Sequence, residues 1–160
     1  MPRKRLQLVK DDPWLEPSEQ DIVDRYNRFK SRMKEIETFF GSLTNFAGGY
    51  KYFGINYDPK RKGWTYREWA PEAYNLYLTG DFNNWEKYSH PLQKDEFGIW
   101  EIFLPEKEYK DSFQHQGKVK VIVNSAMGEN YRIPAYINRA VQDEDTKNFT
   151  GQLWFPKKFN

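Results

Sequence analysis

Three short aromatic stretches carry the residue types best suited to holding a ligand. Trp69-Ala70-Pro71 follows Tyr66-Arg67-Glu68, Phe97-Gly98-Ile99-Trp100 has a glycine that lets the chain bend or a ligand approach closely, and Gly80-Asp81-Phe82-Asn83-Asn84-Trp85 ends on an indole. An aromatic ring at the end of a strand or beyond a tight turn offers a flat apolar face, and neighbouring amides, carboxylates and lysines offer hydrogen bonds at its edge. That combination suits a ligand with apolar faces and a polar rim, as a sugar ring has. Each such ring contact contributes about 0.5–1.5 kcal/mol beyond area burial. Hydroxyl bonding adds little because it displaces water. The expected dissociation constant is on the order of micromolar to millimolar. Covalent or acid–base chemistry has weaker candidates. Asp143, Glu144 and Asp145 are adjacent acids, but adjacency alone does not place two carboxylates across a reacting bond, and a solvated acidic tip is the expectation.

The elements that position these residues follow from periodicity. Residues 1–17 read as extended, with Pro13 and Pro17 delaying helix. Ser18 reads as an N-cap with Asp21 three residues on, a variant of the capping box. Ile22, Tyr26, Phe29, Met33, Ile36 and Phe40 then recur at spacings of 4, 3, 4, 3 and 4, one face of a helix that Gly41 stops. Such a stripe is expected to pack on a neighbouring domain.

After a connector over residues 41–49 the period shortens. Residues 52–57 alternate, and strands are expected at 63–69, 75–79, 99–104, 118–124, 130–133 and 151–155, with a hairpin loop at 125–128. Residues 106–117 read as a mobile polar loop and 134–147 as a long connection. The expected fold is mainly β: an immunoglobulin-like β-sandwich preceded by an N-terminal α-helical segment, with a boundary near residues 45 and 46. Within it Tyr66 and Glu68 point to one side of their strand, Arg67 and Trp69 to the other. Trp85 has two readings, a core residue closing one end of the sandwich or an exposed platform.

Composition excludes several functions. With 25 Lys+Arg against 23 Asp+Glu, the net charge of +2 gives no field for nucleic acid or an acidic membrane. Cysteine is absent, so there is no thiolate chemistry, disulfide or Cys-bound zinc, and no metal or cofactor is expected. The basic start at residues 1–5 precedes an apolar run too short for a signal core or a membrane span, which points to the cytoplasm. Without a secretion signal the sequon at Asn148-Phe149-Thr150 is a chance match. Aromatic residues make up 18% of the chain, with six Trp and eleven Tyr, more than a core of this size can hold. Several must reach the surface.

The ordered series Asp12-Pro13-Trp14-Leu15-Glu16-Pro17, FAGGYKYFG from Phe46, YREWAP from Tyr66, GDFNNW from Gly80, FGIW from Phe97, YRIPAY from Tyr131 and Trp154-Phe155-Pro156 resembles the N-terminal region of eukaryotic-type 1,4-α-glucan branching enzymes. The β part resembles carbohydrate-binding module family 48, a module type also found in the β subunit of AMP-activated kinase. The resemblance implies an accessory domain ahead of an α-amylase-type barrel. That barrel would cut α-1,4 glucan chains and rejoin them as α-1,6 branches, using a carboxylate nucleophile and a carboxylic acid/base. A barrel needs about 250 residues of its own, so no acid here is expected to be catalytic. The implied partners are glycogen- or starch-like glucan and the barrel.

The resemblance places branching-enzyme sugar contacts at Trp69, Ala70, Pro71, Phe97, Gly98 and Ile99, with Phe standing at position 97 where the family often has Tyr. It places a further contact at the helix end, near Phe39 and Phe40. The kinase-type layout would instead use Trp85, Lys120 and Tyr131. Alternatives to a glucan-binding accessory module are a glycogen-targeting regulatory module and a purely structural docking domain.

Overall fold

Residues 5–156 are described by the computed structural model, in two units, Met1–Gly48 and Gly49–Asn160. Most of the basic N-terminal stretch, residues 1–4, lies outside the described residues.

The first unit is helical. Its start is not extended: α1 spans Gln7–Asp11 and a 3-10 helix spans Pro13–Ser18. Proline favours this start, because Pro13 occupies the first turn, where no backbone N–H is required. Asp12 Oδ1 caps the turn by accepting from the Trp14 N–H at 3.1 Å. Helix α2, Glu19–Phe40, then follows without a break, so Ser18 has no side-chain capping bond and the expected capping box does not form. Glu19 and Asp21 supply the acidic first turn instead, and Arg5 pairs with Glu16 and Glu19 at 2.8 and 3.0 Å. Gly41 ends α2 as expected, at φ 77°, with its N–H on the Glu37 carbonyl. The short helix α3, Leu43–Phe46, is capped by Ser42. Of the predicted stripe, Ile36 is buried, Ile22 and Met33 are half-buried, and Tyr26, Phe29 and Phe40 are exposed. No described helix is long and apolar enough to cross a membrane.

The second unit is built from two antiparallel sheets. Strands β1 (Gly54–Asp58), β2 (Gly63–Trp69), β4 (Gln93–Lys94) and β5 (Ile99–Pro105) form the first, in the order β1-β2-β5-β4. Strands β3 (Asn75–Gly80), β6 (Lys118–Ser125), β8 (Arg139–Gln142) and β9 (Phe149–Gln152) run β3-β6-β9-β8 in the second, and β7 (Gly128–Arg132) also pairs with β6. The β6–β7 hairpin turns at Ala126-Met127, with Gly128 at φ 87°. Period-two alternation sends Tyr66, Trp100 and Leu104 of the first sheet inward against Leu76, Leu78, Val119 and Val121 of the second. The two faces share one core, a sandwich.

Two segments differ from expectation. Residues 106–117 are not a free polar loop: α4 spans Glu106–Tyr109, and Phe113 is fully buried with its ring 5.4 Å from Trp64 and 5.2 Å from Phe82. Burial of that one ring anchors a stretch whose other residues are mostly polar. Residues 134–147 contain β8, whose hairpin partner β9 begins at Phe149 and ends at Gln152, earlier than the predicted 151–155.

The connection after β3 is held by His90, whose Nε2 lies 2.8 Å from the Tyr109 hydroxyl and whose Nδ1 lies 2.7 Å from Ser89 Oγ. Burial lowers its pKa below the ordinary 6.5. The neutral ring is therefore favoured in the folded state, so this contribution is complete above pH 6.5 and is lost as pH falls through the lowered value. Thermal melts between pH 7.5 and pH 5 should show a falling midpoint, with a shallower slope in His90→Gln. Equal slopes would contradict this.

Candidate functional site

The predicted residues Trp69, Ala70, Pro71, Phe97, Gly98 and Ile99 converge on one corner. Trp69 ends β2 opposite Ile99, which begins β5, and the Ala70 N–H bonds the Gly98 carbonyl at 3.0 Å. Between β4 and β5, Asp95 Oδ1 accepts the N–H groups of Phe97 and Ile99 at 2.9 and 2.8 Å, which fixes the turn. Gly98 is needed there twice over. Its φ is +79°, and a Cβ would lie 2.7 Å from both Cα and Cβ of Pro71. The protein's own Pro71 takes the space that only glycine leaves. Gly98→Ala should cost about 2 kcal/mol, combining the left-handed penalty with that overlap. An unchanged urea midpoint would refute the tight corner.

Trp69 and Phe97 stand out from this corner, 63% and 71% exposed. The Trp69 indole Nε1 donates to the Phe97 carbonyl at 3.3 Å, which steadies the ring. Below the corner, Trp100 donates from Nε1 to the Ala70 carbonyl at 2.9 Å, and Lys94 reaches the Pro71 carbonyl at 2.6 Å. Both hold the Ala70–Pro71 backbone, Trp100 from the core and Lys94 from the surface.

The exposed rings border an open cleft of about 470 Å³, whose lining also contains Phe53, Glu68, Ala135 and Tyr136. These four residues were not singled out from the sequence as site residues. Glu68 sits at the end of β2, where one carboxylate oxygen accepts from the Tyr66 hydroxyl at 2.6 Å and the Ala135 N–H at 2.9 Å. Burial, reinforced by that carboxylate, pushes the Tyr66 phenol well above its ordinary pKa, so it stays a donor. The other Glu68 oxygen has no protein partner among the described residues. Tyr136, at φ 57°, stacks on Phe53 with centroids 5.9 Å apart. Gly54 allows this approach: a Cβ there would meet Tyr136 Cβ at 2.9 Å. The cleft thus combines aromatic faces with one hydrogen-bond-accepting carboxylate.

Trp85, Lys120 and Tyr131 lie elsewhere, Lys120 and Tyr131 in β6 and β7 of the second sheet and Trp85 in the turn after β3. Trp85 is 38% exposed, so the core reading does not hold. Asn84 and Trp85 both take left-handed backbone, and Asp81 receives the Trp85 indole N–H at 2.8 Å while its other oxygen takes the Lys118 N–H at 2.7 Å. Lys120 pairs with Thr79 and Tyr131 with Ile122, two positions further along β6, so Lys120 and Tyr131 share one face of the sheet. The Tyr131 ring is already engaged by Lys87, whose Nζ lies 5.3 Å from its centroid and which pairs with Glu129 at 3.1 Å.

Phe39 and Phe40 end α2 in the first unit, both exposed, with Phe40 edge-on to Phe46 at 5.1 Å. The acidic tip is a turn cap: Asp143 Oδ1 accepts from Asp145 and Thr146. These bonds, led by the Thr146 N–H, lower the Asp143 pKa. No group of three or more His, Asp or Glu side chains able to hold a metal is found among the described residues.

A sequence profile described as carbohydrate-binding module 48 (isoamylase N-terminal domain) matches residues 52–137. The chain is 42% identical over 153 residues to a 1,4-alpha-glucan-branching enzyme of Dictyostelium discoideum, covering 94% of this chain and 22% of that relative. It is 42% identical over 153 residues to the enzyme of Emericella nidulans and 35% identical over 154 residues to that of Equus caballus, with the same shares. The chain therefore spans 22% of the length of these curated relatives. Among solved structures, a pullulanase type I from Bacillus subtilis str. 168, complexed with maltose, superposes with a TM-score of 0.50 at 14% identity, covering 68% of this chain and 14% of that one. That likeness is one of fold. Two sheets around a shared core and a profile match running from Tyr52 through Ile137 place the chain in the carbohydrate-binding module 48 family.

Proposed function

We propose that this chain is the N-terminal α-glucan-binding module of a 1,4-α-glucan branching enzyme, and that the sugar chain rests on the Trp69 corner. The observation carrying this reading is the pairing of two exposed rings, Trp69 and Phe97, on a cleft that also holds Glu68 and Tyr136. Indole and phenyl faces stack on the apolar faces of glucosyl units, and Glu68 accepts from a hydroxyl. The relatives' shared name supports the parent activity, transfer of α-1,4 segments to α-1,6 branch points. Its carboxylates belong to a catalytic barrel on the same polypeptide rather than to this chain. An immunoglobulin-like strand arrangement and a cytoplasmic setting complete the reading.

The surface of Trp85, Lys120 and Tyr131 is secondary, because Lys87, itself paired with Glu129, already covers the Tyr131 ring. A docking role has its own support. Tyr26, Phe29 and Phe40 are exposed along one side of α2 and suit a surface that the barrel covers. Docking and sugar binding are compatible.

Calorimetric titration with maltoheptaose should give saturable binding with a dissociation constant on the order of 10 μM to 1 mM. Cellohexaose, with β-1,4 links and a flat chain, should bind far more weakly. Equal affinity for both sugars would remove the α-glucan reading.

A further inference from the structure

Tyr136 stands between two clefts. One is the Trp69–Phe97 cleft. The other, about 540 Å³, shares Phe53 and Tyr136 with it and is lined further by Tyr50, Asn56, Asn138 and Trp154. Among the described residues, none that lines this second cleft is charged.

Its walls are held in place. The Asn56 amide donates to the Phe53 carbonyl at 2.9 Å, which fixes the turn that carries Tyr50. Trp154 is pinned by the Arg139 guanidinium, 4.4 Å from its ring centroid, and by His115 at 4.5 Å. Its polar groups are nevertheless unspent. Among the described residues, the Trp154 indole N–H, the Asn138 amide and the hydroxyls of Tyr50 and Tyr136 have no protein partner. Neutral donors and acceptors set among aromatic rings fit a neutral polyhydroxylated chain. They offer no counter-charge to an acidic or basic peptide or to a nucleic acid.

We infer that the second cleft is a further glucosyl-binding subsite, and that one linear α-glucan crosses Tyr136 to occupy both clefts. This inference rests on the reading of the first cleft as a glucan site. The consequence is chain-length selectivity: a short oligosaccharide fills the Trp69 cleft alone, and a longer one gains the contacts of Tyr50, Asn138 and Trp154.

Heteronuclear NMR on the 160-residue chain separates the two claims. Maltotriose should shift the Trp69 indole signal and leave those of Trp154 and the Asn138 side-chain amide in place. Maltoheptaose should shift all three. Asn138→Ala and Tyr50→Ala should each weaken maltoheptaose binding about fivefold, the size of one modest contact, with maltotriose affinity unchanged. If maltoheptaose moves Trp69 but not Trp154 or Asn138, and neither variant changes its affinity, the second subsite is overturned while the first stands. If neither sugar moves Trp69, the glucan reading fails and the second subsite fails with it.

Discussion

Trp69→Ala lowers maltoheptaose affinity about tenfold or more while leaving the fold intact. The estimate comes from area. Covering a third of the roughly 150–250 Å² that an aromatic side chain can bury, at about 25 cal/mol per Å², contributes about 1–2 kcal/mol. A loss of 1.4 kcal/mol is about tenfold in the dissociation constant. Stability should change by less than about 0.5 kcal/mol, because the ring is exposed and its recorded bond, to the Phe97 carbonyl, is long. Trp69→Tyr should restore part of the affinity by supplying a smaller face. Trp85→Ala, on the other sheet, should leave affinity within about twofold, a difference near 0.4 kcal/mol. Calorimetry on the three variants checks this. Loss in Trp85→Ala with retention in Trp69→Ala would move the site to the second sheet.

Trp100→Ala is expected to produce the largest stability loss, about 3–5 kcal/mol. The side chain is buried between the two sheets, so truncation leaves a cavity as well as removing apolar contact. Against a total of about 5–15 kcal/mol for a domain, this leaves little margin at 37 °C. The effect should reach the binding corner. The Trp100 indole holds the Ala70 carbonyl, and Lys94, 5.5 Å over the same ring, holds that of Pro71. Trp100→Phe should recover most of the packing and lose about 1 kcal/mol for the missing hydrogen bond, since the Ala73 N–H still reaches the Ala70 carbonyl at 3.1 Å. Urea unfolding measures both. A midpoint for Trp100→Ala close to that of the parent chain would contradict the packing account.

The sequence revealed what local spacing dictates. Period-two alternation along β2 sends Tyr66 inward and Trp69 outward, and Gly98, read as a place for a bend or a close approach, is approached by Pro71. Gly41 as the stop of α2 and the β6–β7 hairpin were readable for the same reason. What escaped depends on residues distant in sequence. Glu68 becomes part of the cleft because the Ala135 N–H, 67 positions away, comes back to it. Tyr136 and Phe53 form a wall only once β1 and the segment before β8 are side by side. Phe113 sits in a polar stretch with no period around it, so nothing local announced an anchor. At the N-terminus two prolines suggested extended chain, and the first of them instead opens a 3-10 helix.

The position of the bound sugar tests the central claim most directly. A crystal structure of the chain grown with maltoheptaose should show glucosyl units stacked on Trp69 and Phe97, with a hydroxyl bonded to Glu68. Sugar lying over Trp85, Lys120 and Tyr131 with the Trp69 cleft empty would contradict the account.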